Sequence, residues 1–332
     1  VGVVVKKLRW GLVGLGSLAG NGIVPAARRS QYAEVVAGVT RDAAKGREFG
    51  AKHGIARIYD TVEEMVASAN IDAVFVMSPN DAHRAPVLAA AAAGKQVLCE
   101  KPLAMTEADA VAMVATCEKT GVMLRLGLHL RFEKFLAAVA AELQSGAIGT
   151  IRGLSIERAA PLSERAPWRE DPARGGSILY DVGLHLLDLV PRLVGSDFAS
   201  VGGLTFPPPG AAMGADTISL LLRTQSDVQV SLRASREAPY SGSDLTVLGT
   251  TGWLRTGPLR WVEEFSMTIT NAAGKREVRV PACDLYRDEL DGFAMDLADG
   301  GTRLGTGTDG IRLVKLAAQV EQSLRESRMV TL

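Results

Sequence analysis

The chain has 332 residues, long enough for two domains, because single cores stop growing near ~250–300 residues. Lys plus Arg balances Asp plus Glu at 37 each, so no net field selects nucleic acid or an anionic membrane. Three cysteines, Cys99, Cys117 and Cys283, have no CxxC or His–Cys spacing and cannot all pair, which fits a reducing compartment and argues against a structural zinc site; no metal is expected.

Residues 1–5 are too short for a signal-peptide core, and Lys6, Lys7 and Arg9 follow them rather than precede them. No apolar run reaches the ~18 residues of a membrane span. A soluble, cytoplasmic protein is expected. Short apolar runs over 10–13, 35–39, 73–77, 96–98 and 122–126 alternate with helical patterns over 18–29, 43–53, 61–69, 82–93 and 106–119. Runs that are apolar throughout are buried on both faces, and their alternation with helices makes a doubly wound parallel sheet. Thr61 with Glu64, and Thr106 with Asp109, have the spacing of helix N-caps with capping-box partners, and Gly94 and Gly121 sit where C-caps belong.

After residue 130 the pattern changes. A helix is expected over 132–143, a strand over 151–157, and a polar loop rich in Pro and Arg from about 160 to 175, too long for a plain connector. A helix over 178–193 leads to successive strands over 198–205, 215–223, 227–235, 243–249 and 266–280, which argues an antiparallel sheet. Helices over 286–299 and 309–325 close the chain. The expected fold is α/β: a Rossmann dinucleotide-binding domain over 1–128, then an α+β domain with an open antiparallel sheet over 129–332.

Gly14-Leu15-Gly16-Ser17-Leu18-Ala19 follows the first strand and opens the first helix, which is G-x-G-x-x-A in strand–turn–helix context. The first glycine allows the tight turn, the second lets a pyrophosphate approach the backbone, and the small third residue lets helix and strand pack closely. The helix N-terminus adds free N–H groups and partial positive charge. The second strand ends in Thr40-Arg41 where an acidic residue would bind a ribose 2′-OH. A hydroxyl followed by a guanidinium suits a 2′-phosphate, and Lys45 adds charge one turn on, so NADP(H) is preferred and NAD(H) remains possible. Two alternatives stand beside this: Asp42 as a displaced ribose ligand, and Arg41 as a solvated helix-start residue.

At the end of the fourth apolar run, Glu100-Lys101-Pro102 places two opposite charges and a rigid turn where α/β sheets bind ligands, so Lys101 is either aimed at a ligand or a surface lysine at a strand-to-helix turn. Asp181 and His185 are four apart and share a helix face, so either the carboxylate orients the imidazole for proton transfer or the two form an ordinary helix-surface pair. Trp168 and Arg169 lie in the polar loop. An indole can stack on a sugar ring and a guanidinium can bind hydroxyls, or the Trp can simply anchor the loop. His129 is either a substrate contact or a core imidazole, and His53 reads as a solvated helix end.

The stretches Gly14-x-Gly16-x-x-Ala19, Ser78-Pro79-Asn80-x-x-His83, Glu100-Lys101-Pro102-Leu103 and Gly175-Gly176-Ser177-Ile178-Leu179-Tyr180-Asp181-Val182-Gly183-x-His185-x-x-Asp188 occur in this order. With them the chain resembles the glucose–fructose oxidoreductase / inositol dehydrogenase (Gfo/Idh/MocA) family along nearly its whole length. The resemblance implies oxidation or reduction of sugars, cyclitols or related polyols, with the NADPH-dependent reductases of sugar ketones as the nearest likeness. It gives Lys101 the reacting oxygen, Asp181 and His185 the substrate, and Ser78, Asn80, His83 and Glu100 places beside the cofactor. It implies a cis bond before Pro102, substrate contacts from His129 and Arg131 in the stretch His129-Leu130-Arg131-Phe132, and self-association through the C-terminal sheet. Lys101, Asp181 and His185 are expected to meet at one cleft. Two other readings stay open. One is an NAD-retaining enzyme of the same fold that cleaves glycosides. The other is an inactive nucleotide-binding regulator, which would have lost Lys101 or His185; both are present.

Overall fold

A computed structural model of the chain describes residues 4–67, 70–159, 166–210, 215–237, 241–257 and 264–332. The first three residues, the end of the helix expected over 61–69 and the first part of the polar loop lie outside them. The chain divides into two compact units: Val1–Arg131 with Asp284–Val314, and Phe132–Cys283 with Lys315–Leu332. Beside the expected boundary at 128/129, the first crossing between these units falls after Arg131, and 284–314 packs with the first unit.

In the first unit, β1 (Leu8–Val13), β2 (Ala33–Val39), β3 (Arg57–Tyr59), β4 (Ala73–Val76), β5 (Gln96–Glu100) and β6 (Leu124–Gly127) form a parallel sheet in the order β6-β5-β4-β1-β2-β3. All four residues of β4 are buried, as a strand covered on both faces requires. β3 was not expected; it has three residues, none of them fully buried, so it carries no apolar run. The helices are α1 (Val24–Arg29), α2 (Ala43–His53), α3 (Val62–Val66), α4 (Arg84–Ala92) and α5 (Glu107–Thr120). Thr61 Oγ1 accepts from the Glu64 N–H at 3.2 Å and Thr106 Oγ1 from the Asp109 N–H at 3.1 Å, so both expected N-caps form.

Two features of this unit differ from expectation. The helix expected over 18–29 is split into a π-helical segment, Leu18–Ile23, and α1. The chain also returns late. The helix Leu285–Asp299 packs on α1 and β2, with the Phe293 ring 4.8 Å from that of the fully buried Trp10. Ion pairs hold the return: Arg29 with Asp284 at 2.5 Å and Arg125 with Asp296 at 3.2 Å. Gly305–Thr306 then adds an antiparallel edge beside β6.

In the second unit, α6 (Lys134–Gln144) precedes β7 (Ile151–Ala159), and a π-helical segment Leu179–Gly183 runs into α7 (Leu184–Val194). Then follow β8 (Phe198–Phe206), β9 (Thr217–Thr224), β10 (Gln229–Ser235), β11 (Gly242–Gly249), β12 (Gly252–Thr256), β13 (Phe265–Asn271) and β14 (Gly274–Val280). The sheet order is β14-β13-β12-β11-β7-β10-β9-β8, with Val330–Thr331 at the β8 edge. Neighbours run antiparallel except β7 and β10, which are parallel. The single strand expected over 266–280 is the β13–β14 hairpin, turned where Asn271 Oδ1 accepts from the Ala273 N–H at 2.9 Å. β9 and β10 bury every second residue, the signature of a sheet covered on one face.

Candidate active site

The glycine turn of the first unit has the form that a pyrophosphate needs. Gly14 has φ +95°, and a Cβ there would come within 2.6 Å of the Met77 carbonyl oxygen at the end of β4, so no side chain fits. A Cβ at Gly16 would meet nothing within 4 Å, and Gly16 and Ser17 are exposed, so bare backbone faces open space. No side chain caps the helix start after Ser17, and the Gly20 N–H donates to the Gly16 carbonyl at 3.0 Å, so a ligand would meet the N–H groups ahead of it. Leu18 is half-buried and Ala19 fully buried against the sheet. His53, expected to be solvated, is half-buried instead; its ring lies 4.4 Å from that of Phe49 and against Gly20, where a Cβ would sit 3.1 Å from Nε2.

At the end of β2, Arg41 and Lys45 are exposed, and Thr40 is half-buried. Asp42 caps α2, accepting from the Ala44 and Lys45 N–H groups, both at 3.1 Å. Its other oxygen is 3.8 Å from Lys45 Nζ.

The ends of β4 and β5 are stapled together by His83. Its Nδ1 lies 2.7 Å from the Pro102 carbonyl oxygen and its Nε2 2.9 Å from that of Ser78, with the ring fully enclosed. Burial pushes His83 below its ordinary value of 6.5, although the two carbonyls favour the charged ring. The ring nitrogens therefore serve the protein backbone, while Ser78 stays half-buried and Asn80 is buried at the start of the turn that follows. The Lys101–Pro102 bond is cis, as the resemblance implied. Lys101 is half-buried, and its N–H donates to Glu100 Oε2 at 3.3 Å. Glu289, on the return helix, is fully buried near Glu100; burial, with the Glu100 charge adding, pushes its carboxyl well above the usual range.

His129 and Arg131 follow β6. The His129 ring packs 5.0 Å from that of Tyr286. Arg131, expected at the substrate, has 4% of its side chain exposed and pairs with Asp309 at 3.2 Å. Against the upward push of burial, Arg131 and the Thr306 N–H hold Asp309 down at about 2. This guanidinium holds the Thr306 edge segment in place.

In the second unit the structure brings Trp168, Arg169 and Asp181 together. The Arg169 guanidinium lies over the Trp168 ring at 4.4 Å and pairs with Asp181 Oδ1. Asp181 lies in the π-helical segment, and His185 is buried in the first turn of α7. The second oxygen of Asp181 accepts from Arg236 Nη1 at 3.4 Å. Arg236 and its partner Asp216 were not singled out in the sequence. They continue the buried alternation of β10 and β9 by one step, which is where a charge should draw notice. Burial pushes the Cys99 and Cys117 thiols up, away from nucleophilic use. Among the described residues no group of His, Cys, Asp and Glu could hold a metal, and no helix is long and apolar enough to cross a membrane.

The profile of the Gfo/Idh/MocA oxidoreductase family, NAD-binding Rossmann fold, matches residues 8–128, and that of the family's C-terminal domain matches 136–255. The chain is 31% identical to 1,5-anhydro-D-fructose reductase of Ensifer adhaerens over 310 residues, 91% of this chain and 92% of that protein. It is 28% identical to myo-inositol 2-dehydrogenase of Thermotoga maritima, covering 98% of each. Among solved structures, aldose-aldose oxidoreductase from Caulobacter crescentus superposes with a TM-score of 0.88 at 25% identity, over 98% of this chain and 100% of that one.

Proposed function

The chain belongs to the Gfo/Idh/MocA oxidoreductase family, and we propose that it transfers hydride between NADP(H) and a sugar-like ketone or polyol. The observation that carries the cofactor half is the commitment of Asp42 to capping α2. A carboxylate turned to two helix N–H groups is withdrawn from a ribose 2′-OH, which leaves Thr40, Arg41 and Lys45 to meet a 2′-phosphate. Gly14, Gly16, Ser17, Leu18 and Ala19 would hold the pyrophosphate, and Ser78, Asn80 and Glu100 would line the nicotinamide end. The substrate half is supported by the two sugar- and cyclitol-specific relatives.

When bound, the nicotinamide supplies or accepts the hydride. The protein's own part is charge and protons. Reduction of a ketone develops negative charge on oxygen, and Lys101 holds that oxygen. His185 delivers the proton in reduction and removes it in oxidation. Asp181 orients the imidazole and a substrate hydroxyl, with Trp168 and Arg169 against the sugar ring. His129 is a further candidate contact for the substrate. The reduced thiols fit a cytoplasmic setting, and the exposed face of the second unit's sheet pairs copies of the chain.

Two measurements test this. NADPH should bind more tightly than NADH, and Arg41→Ala should remove most of the gap, about 1–3 kcal/mol for a charge-assisted contact. Equal affinities in the native protein would sink the cofactor assignment. Separately, His185→Ala should lower kcat by roughly 10²–10⁴-fold while leaving NADPH affinity unchanged; near-native turnover would move the proton to Lys101 or water.

A further inference from the structure

Arg236 is buried where the sheet gives no apolar reason for a charge. β9 and β10 pair antiparallel with Thr217 opposite Ser235, and one step further the Arg236 N–H donates to the Asp216 carbonyl at 2.9 Å. Both residues fall in the alternation that buries Ile218, Leu220 and Leu222 on one strand and Val230, Leu232 and Ala234 on the other. Two charges thus extend an apolar face, and the Arg236 side chain is 0% exposed.

The guanidinium divides its donors between the sheet and the candidate site. Nε pairs with Asp216 Oδ1, which anchors it. Nη1 reaches outward, donating to the Arg169 carbonyl at 2.9 Å and to Asp181 Oδ2 at 3.4 Å. Asp181 is therefore held between two guanidiniums, one half-buried beside Trp168 and one fixed in the sheet. The Arg169 carbonyl belongs to the 3₁₀ turn Pro167–Arg169, so the same nitrogen also ties down the turn that carries Trp168. Buried ion pairs add little stability relative to well-packed apolar residues. What a planar, always-charged fork supplies is direction.

We infer that Arg236, anchored by Asp216, is a positioning residue that fixes the Asp181 carboxylate and the Trp168–Arg169 turn. This rests on the reading above that Asp181 serves the reaction. Arg236 reaches the substrate only through Asp181 and the turn, which distinguishes it from Arg169.

The test is a double-mutant cycle with 1,5-anhydro-D-fructose and NADPH as probes. Arg236→Gln should lower kcat by ~10–100-fold, the effect of a misplaced catalytic group, with Arg236→Lys in between and NADPH affinity unchanged. In an Asp181→Asn background, Arg236→Gln should cause at most about a twofold further loss, because the group it positions is already gone. Amide hydrogen exchange over residues 166–177 should quicken in Arg236→Gln. Native kcat in Arg236→Gln, or losses that multiply in the double variant, would overturn the inference. If Arg236→Gln does not fold, Asp216→Asn, which frees the anchor and keeps the cation, is read by the same cycle. Native turnover by Asp181→Asn would remove the reading of Asp181 instead, and faster exchange over 166–177 would still report the tether.

Discussion

Both ring nitrogens of His83 meet backbone carbonyls, one from each of two strand ends, so the imidazole fixes the Lys101–Pro102 turn against the Ser78 turn. A neutral imidazole has one N–H to give, so His83→Ala would leave one of the two carbonyls without its donor, at about 1–3 kcal/mol, and would free the turn that aims Lys101. We expect a lower melting temperature and a kcat loss of roughly 10–100-fold; an unchanged kcat in the folded variant would show that the turn holds itself. Glu133 gives a prediction of a different kind. It is buried, and burial pushes its carboxyl up to about 9, with Arg158 opposing. A folded-state value above the ordinary 4.5 means that the native protein keeps a proton that the unfolded chain has released, so this contribution is full below pH 4.5 and is lost as pH rises toward 9. The slope approaches about 1.4 kcal/mol per pH unit for one proton. Glu133→Gln should flatten the fall in denaturation midpoint between pH 5 and 8; an unaltered slope would place the titration elsewhere. These roles differ in how far the sequence reveals them. Gly14, Lys101 and His185 stand out by motif, whereas the function of His83 depends on carbonyls, which no side-chain pattern records. Arg236 and Asp216 were legible in principle, as charges at buried positions of a period-two run.

At the scale of elements, the strands of the first sheet are legible because each is an apolar run flanked by turn signals, and the caps because Thr61 and Thr106 satisfy N–H groups that the helix itself leaves open. The missed elements lack those signals. β3 is short and half-exposed, β12 is five residues with alternate burial, and the two π-helical segments read as ordinary helix because their hydrophobic period is unchanged at this length. The return of Leu285–Asp299 to the first unit is a long-range event. Its helical period was visible, but its partner was not, since the partner is Trp10 nearly three hundred positions earlier. That packing gives a stability prediction. Phe293 is fully buried against Trp10, so Phe293→Ala should cost about 3–5 kcal/mol by loss of transfer energy and a cavity. A loss under about 1 kcal/mol in chemical denaturation would mean that the helix docks through its ion pairs alone.

For the whole molecule, the distribution of apolar surface matters more than any single contact. The sheet of the second unit buries one face, and the register puts Leu204, Phe206, Leu221, Leu248 and Trp253 on the other. Their exposures are 72%, 65%, 65%, 52% and 37%. They lie in two groups, Leu204, Phe206 and Leu221 on β8 and β9 and Leu248 and Trp253 on β11 and β12, with Ser231, Arg233 and Glu157 between them, and exposed apolar side chains rimmed by polar ones mark interaction sites. With equal numbers of acidic and basic residues, no net charge keeps copies of the chain apart. A flat strand face also suits a second identical face, since two-fold pairing sets each patch against its own copy. Sedimentation should therefore give a mass that is a multiple of the 35.1 kDa chain. Leu204→Glu with Leu221→Glu should shift it toward a single chain, because each new carboxylate would be buried against an apolar partner and its own symmetry mate. Both residues point away from the buried face, so the monomeric variant should keep its far-ultraviolet dichroism and NADPH affinity. A native protein that sediments as one chain at micromolar concentration, or a double variant with the native mass, would assign the face to something other than self-association.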